Sequence, residues 1–283
     1  MTSSTEDPAM TIDALLWDVD GTLAETELDG HRVAFNRAFE QAGLPWRWDA
    51  ARYGELLQVT GGLERLLHDI EGHRDAPASP AAREGLARRL HGLKNAHYAE
   101  LMRTQGIALR AGVRELIDEC RTGGVRLGVV TTSARANVDA LLGRHLGPAW
   151  ATWFDAVVCG EDVRAKKPAP DAYVLALRVL GLTPAACVAI EDSPAGVAAA
   201  RGAGVPVIVT RSIYFAHDAI EGAIAVGPGL HTRAGWVPAC DRADHASGDD
   251  SANVRLATHV TLDDIASWRR LGVNRDAAGG RAR

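Results

Sequence analysis

Residues 15–23 read Leu-Leu-Trp-Asp-Val-Asp-Gly-Thr-Leu, an apolar run that delivers two carboxylates, Asp18 and Asp20, to a Gly-Thr break. A strand ending this way presents both acids at its carboxyl end, the edge where open α/β sheets bind ligands. An Asp-x-Asp pair there suits phosphoryl transfer: one carboxylate attacks phosphorus and the next manages the proton on the departing oxygen. Two solvated acids ahead of a turn are the plainer alternative. Three later segments bear on the choice. Thr131, Thr132 and Ser133 follow the run Leu127–Val130; Lys166, Lys167 and Pro168 precede a helix from Asp171; Glu191 and Asp192 follow Val188–Ile190. In a doubly wound sheet such strand ends converge, bringing carboxylates, hydroxyls and an ammonium into one cleft. A phosphoryl group carries spread negative charge, so its site needs hydroxyl and N–H donors, a cation and a metal. Mg2+ takes oxygen ligands and keeps several waters, so two or three carboxylates suffice.

The elements that must position these groups follow from periodicity. From Leu109 onward helix and strand alternate: helix 113–121, strand 125–131, helix 136–142, strand 156–159, helix 171–180 with Asp171 as cap, strand 188–190, helix 195–201 and strand 205–209. This order implies an α/β fold, a doubly wound parallel sheet with right-handed crossovers. Residues 29–105 interrupt it with four helix-like stretches, 31–42, 49–57, 62–70 and 80–104, and no strand pattern. They read as an inserted four-helix cap domain (29–105) over a discontinuous core domain (1–28 and 106–283), able to close on substrate. Helices merely packed on the sheet are the alternative. Residues 227–253, rich in Gly, Asp, Ala, Ser and Pro, read as a flexible surface excursion. A last helix spans 262–271, with Thr261 and Asp264 spaced as a capping box, and 274–283 read as frayed.

Composition narrows the function classes. With 283 residues, 47% of them hydrophobic, the chain reads as an ordinary soluble globular protein. It shows no apolar run of about 18 residues and no signal-peptide pattern at its start. Its 4 cysteines lack zinc-like spacing and read as reduced thiols of a cytoplasmic protein. A net charge of -5 argues against nucleic acid or an anionic membrane as partner. A phosphate substrate stays compatible, because a bound cation supplies positive charge.

The runs Asp18-Val19-Asp20-Gly21-Thr22, Thr131, Lys167-Pro168-Ala169-Pro170-Asp171 and Glu191-Asp192-Ser193-Pro194-Ala195-Gly196 resemble the four motifs of the haloacid dehalogenase-like phosphohydrolases over residues 12 to about 210. The resemblance implies that Asp18 is the nucleophile, forming an aspartyl-phosphate, and that Asp20 is the general acid/base. Thr131 and Lys167 would hold the phosphate. Mg2+ would bind Asp18, the backbone carbonyl of Asp20, and Asp192, with Glu191 as a ligand or just behind one.

A closer resemblance, to the CbbY-type phosphatases encoded beside Rubisco genes in autotrophic bacteria, lies in residues 23–36 and in Thr60-Gly61-Gly62. It implies hydrolysis of xylulose-1,5-bisphosphate, a misfire product that inhibits Rubisco; a small cap of this kind leaves a monomer workable, and a monomer is expected. Within it Glu27, His31 and Arg32 would face the substrate from the cap base, while Gly61, Gly62 and Arg65 would line the cap loop. Lys94 matches a cap lysine of related sugar-phosphate enzymes, and Thr132 and Ser133 would join the substrate site. The residues alone also allow a helix-surface His31, a solvated Arg65 and Lys94, and a plain turn at Gly61-Gly62. Two positions depart from the pattern: Leu63 stands where a lysine is common, and Ala111 where a proline is. Residues 211–255 match the family poorly. The core motifs serve equally a phosphomutase of the β-phosphoglucomutase type, or a phosphatase for another small ester such as phosphoglycolate.

Overall fold

The computed structural model describes residues 11–239 and 258–279. Its centre is a 7-stranded sheet of order β3-β2-β1-β4-β5-β6-β7, formed by β1 (Ala14–Trp17), β2 (Arg126–Val130), β3 (Ala156–Val158), β4 (Cys187–Glu191), β5 (Val207–Thr210), β6 (Ala225–Gly227) and β7 (Val237–Pro238). All neighbours pair in parallel except the antiparallel β6–β7 edge. The inner strands are apolar on both sides because helices cover both faces. Leu15, Trp17, Val188 and Ile190 pack with α5 (Val113–Gly123) and α6 (Arg135–Leu146). Leu16, Ala189, Val207 and Val209 pack with α7 (Asp171–Leu180) and α8 (Pro194–Gly202).

Register brings the chemistry together. Trp17 lies opposite Val129 on one side and Ile190 on the other, so Asp18, Thr131 and Glu191 emerge at the same edge.

Between β1 and α5 the chain forms α1 (Arg32–Gln41), α2 (Ala50–Leu56), α3 (Gly62–Ile70) and α4 (Pro80–Thr104). Asp49 starts α2 by accepting from Arg52 N at 2.8 Å, and Ser79 starts α4 by accepting from Ala82 N at 3.2 Å, ahead of Pro80. These helices share their own apolar cluster, including Phe35, Phe39, Trp48, Tyr53, Leu66 and Leu90. The chain leaves and re-enters the sheet side by side: Ala24 bridges Leu109, and Arg110 N donates to Leu23 O at 2.8 Å. A π-helical turn, Glu27–His31, leads into α1.

Three expectations change. Asp171 does not cap α7; Pro170 occupies that position in helical conformation, which makes Asp171 the first helical residue. Residues 227–239 are built into the fold rather than a flexible excursion, because β7 closes the sheet edge and Trp236 stacks on Trp268 at 4.5 Å. The remainder of that stretch, 240–253, lies outside the described residues. The last helix, α9 (Leu262–Gly279), starts at the expected box, with Thr261 N donating to Asp264 Oδ2 at 2.9 Å. It runs past 271 and through the first part of the segment expected to fray; residues 280–283 are not described. Among the described residues no helix is long and apolar enough to cross a membrane.

Candidate active site

At the carboxyl edge of the sheet, Lys167 is buried among acceptors. Its Nζ donates to Asp18 Oδ1 at 2.7 Å, Glu191 Oε1 at 2.6 Å and Val130 O at 2.8 Å. Burial alone would lower its pKa, but Asp18 and Glu191 outweigh burial and hold the ammonium above its usual range. Asp18 experiences the reverse balance. Burial, together with Glu191 and Asp20, pushes its carboxyl up against the pull of Lys167. Tyr173 on α7 donates to Glu191 Oε1 at 2.5 Å and orients that carboxylate.

Asp20 has different partners. His31 Nε2 lies 2.8 Å from Oδ1, Thr26 Oγ1 donates to the same oxygen at 2.5 Å, and Ser133 Oγ donates to Oδ2. Burial raises the Asp20 pKa, yet His31, Ser133 and Thr26 more than offset it and hold the group below the ordinary carboxylate range. The His31 ring is fixed from the other side by stacking on Tyr98 at 4.3 Å.

A cleft with two lobes opens from these groups. The near lobe is lined by Asp18, Lys167, Asp192 and Ser193. The far lobe, about 290 Å3, is lined by His31, His91, Lys94, Asn95, Asn137 and Lys166. Asp20, Glu27, Gly61, Arg65 and Thr132 line both, and Ser133 and Gly62 line the far one. Arg65 and Lys94 are buried rather than solvated, at 6% and 3% exposure. Arg65 donates to Leu56 O and, at 2.9 Å, to Tyr53 OH, which in turn donates to Glu27 Oε2 at 2.5 Å. Burial lowers Lys94 to about 8, with Asp20 and Glu27 supporting its charge and Arg65 opposing it.

Two expected site residues stand apart. Arg32 does not line the cleft; its guanidinium donates to Leu28 O at 3.1 Å and Trp48 O at 3.4 Å, securing the start of α1. Thr131 lies buried at the end of β2, where its Oγ1 accepts from Ser133 N at 3.1 Å and shapes the turn that presents Thr132 and Ser133. Tyr53, Tyr173, Asn95 and Asn137 were not singled out from the sequence. A tyrosine on an apolar helix face needs a buried polar partner, a signal present for both tyrosines.

The donor set fits a hard divalent cation. Carboxylate oxygens of Asp18, Glu191 and Asp192 lie within 4.8 Å of one another, and Glu191 Oε2 is buried without a hydrogen-bond partner among the described residues. Glycine is required beside them. A Cβ on Gly21 would come 2.0 Å from Asp192 Oδ2, and one on Gly196 would come 1.9 Å from Glu191 Oε2. An all-oxygen, carboxylate-rich set suits Mg2+. The Asp20 side chain, already engaged by three donors, lies outside this group, which leaves only its backbone carbonyl for the expected ligand role.

Residues 12–204 match the haloacid dehalogenase-like hydrolase family. The plasmid CbbY protein of Cupriavidus necator is 44% identical over 254 residues, which cover 88% of this chain and 98% of that protein. CbbY from Rhodobacter sphaeroides, crystallised with phosphate, is 42% identical with a TM-score of 0.71, covering 76% of this chain and 93% of that one. A mutant of the same protein, crystallised with xylulose-(1,5)bisphosphate, gives 41% identity, the same TM-score of 0.71 and the same coverage of 76% and 93%. The chain therefore belongs to the haloacid dehalogenase-like hydrolases and, among them, to the CbbY proteins.

Proposed function

We propose that this phosphatase hydrolyses xylulose-1,5-bisphosphate to xylulose 5-phosphate through an aspartyl-phosphate on Asp18. The observation that carries this reading is the two-ended cleft, with a carboxylate–lysine centre at one end and the buried ammonium of Lys94 at the other. A substrate with a phosphate at each end fits that charge distribution. Helices α1–α4, with residues 29–105, act as the cap over the core formed by 1–28 and 106–283. Their own apolar cluster supports this division, while Ala34, Tyr98, Leu101 and Met102 of α1 and α4 pack into the main core and tie the two together.

In the first step an Asp18 carboxylate oxygen attacks phosphorus while the bond to the sugar oxygen breaks, and Asp20 supplies the proton to that oxygen. In the second, Asp20 takes a proton from water as the water attacks the same phosphorus, releasing phosphate and restoring Asp18. Donors from His31, Thr26 and Ser133 keep Asp20 ionised, the state in which it can take a proton in the second step. To act as acid in the first, it must shed part of this set as substrate binds. Lys167 holds Asp18 aligned for attack and offers positive charge to the phosphoryl oxygens. Mg2+, held by Asp18, Asp192 and the Asp20 carbonyl with Glu191 at its side, would neutralise the charge on the transferring group. Cys120, Cys159 and Cys187 are buried free thiols, which supports a cytoplasmic enzyme, and we take it to act as a monomer.

Phosphate release from xylulose-1,5-bisphosphate tests the proposal. Release should stop on chelation and return with Mg2+; full activity in excess chelator would defeat the metal assignment. Lys94→Met should raise KM for the bisphosphate roughly tenfold or more, the scale of a lost charge-assisted hydrogen bond, with little effect on p-nitrophenyl phosphate. Because the lysine is charged below about 8 and neutral above it, wild-type KM for the bisphosphate should climb as pH rises through that value. A KM flat across that range would remove Lys94 from substrate binding.

A further inference from the structure

Lys166 precedes Lys167, yet its side chain goes elsewhere. It lines the far lobe, and its Nζ pairs with the Glu64 carboxylate at 2.8 Å. Its stem is held from both walls. A Cβ on Gly61 would come 2.9 Å from Lys166 Cδ, and one on Gly160 would come 3.4 Å from Lys166 Cε. Gly61 caps the start of α3 in the helical insert and Gly160 follows β3, so the stem runs between glycines from opposite sides of the cleft. Gly61 has a φ of +92°, and its missing Cβ would also lie 2.2 Å from Glu64 Oε2. The glycine is therefore fitted to the ion pair that crosses it.

The far lobe needs more positive charge than Lys94 supplies. A second phosphate on the substrate carries about -1.5 to -2 at neutral pH. Leu63, in the same lobe, adds no charge. His91 does not help either: burial, then Lys94 and Lys166, lower it to about 4, which leaves the ring neutral. Arg65 already spends its Nε and one terminal nitrogen on Leu56 O and Tyr53 OH. Lys166 is the cation best able to change partners. Its side chain is 20% exposed and Glu64 is 43% exposed, so the bond between them is screened by water and weak. A compact ammonium on a four-carbon stem can turn without moving the backbone.

We propose that Lys166 is a specificity-determining residue that passes from Glu64 to the distal phosphate of a bisphosphate substrate. The inference rests on the two-phosphate reading above and assigns a role to a residue outside the catalytic centre.

The test compares K166M with E64Q, since methionine keeps the stem between the two glycines. K166M should raise KM for the bisphosphate roughly tenfold or more while leaving p-nitrophenyl phosphate nearly unchanged. E64Q frees the ammonium, so it should lower KM for the same bisphosphate or leave it as it was. A purely structural ion pair would instead make both variants worse together. That result, or equal losses on both substrates in K166M, or no change in K166M, overturns the proposal. Wild-type enzyme is first compared on several sugar bisphosphates. If another bisphosphate outranks xylulose-1,5-bisphosphate, the substrate assignment falls and the Lys166 test proceeds with that compound. If K166M handles the preferred bisphosphate as well as wild type does, the role of Lys166 alone falls.

Discussion

Asp18→Asn should fold normally and turn over phosphate esters roughly 10,000-fold more slowly or worse, the scale of loss when a covalent nucleophile is removed. The amide matches the carboxylate in shape, so the packing at the end of β1 survives, and Lys167 keeps Glu191 and Val130 O as partners. The amide lacks the anionic oxygen that attacks phosphorus. Stability gives a second readout. Because burial and neighbouring carboxylates raise the Asp18 pKa in the folded state, its ionised form opposes folding at pH values above its unfolded pKa. In Mg2+-free buffer near neutrality, the variant should therefore melt no lower than wild type. Retention of a tenth of wild-type activity would remove Asp18 from the nucleophilic role.

Lys167→Met should cost both activity and about 3–5 kcal/mol of stability, the range for breaking a buried ion pair by removing one partner. The lysine is 4% exposed and is the cation that bonds both Asp18 and Glu191, the latter fully buried. Without it, two carboxylates face one another in a low-dielectric site. Acid relieves this by protonating Asp18, whose carboxyl burial already pushes up, so the deficit should shrink as pH falls and grow as pH rises toward neutrality. Urea melts of the variant and wild type at pH 5 and pH 8, without Mg2+, measure it. A deficit under about 1 kcal/mol at pH 8 would mean the site is far better solvated than its geometry indicates.

Much of this architecture was legible in the sequence for physical reasons. Strands covered on both faces read as apolar runs, and the first polar residue after each marks the sheet edge; Asp18, Thr131 and Glu191 were all located this way. Helices α3 and α4 coincide with the helix-like stretches at 62–70 and 80–104. Lys94 carried a further signal. It falls on the buried stripe of α4 with Ala87, Leu90, Tyr98 and Leu101, whereas Arg88 pairs with Glu84 at the surface. The three residues of β6 were too few to show a period, and β7 depends on pairing with it. His31 and Arg32 both looked like substrate residues, but successive helical positions point about 100° apart. The π-helical turn at Glu27–His31 sets their rotation, placing His31 against Asp20 and Arg32 against Trp48 O. A one-residue offset of this kind leaves no mark in the apolar pattern.

Steady-state phosphate release with Mg2+, compared across xylulose-1,5-bisphosphate, ribulose-1,5-bisphosphate, β-glucose 1-phosphate and phosphoglycolate, tests the central claim most directly. The account predicts a kcat/KM for xylulose-1,5-bisphosphate well above the other three, showing that a far lobe with Leu63 in place of a lysine still selects a second phosphate. A flat profile, or a higher value for either monophosphate, would contradict it.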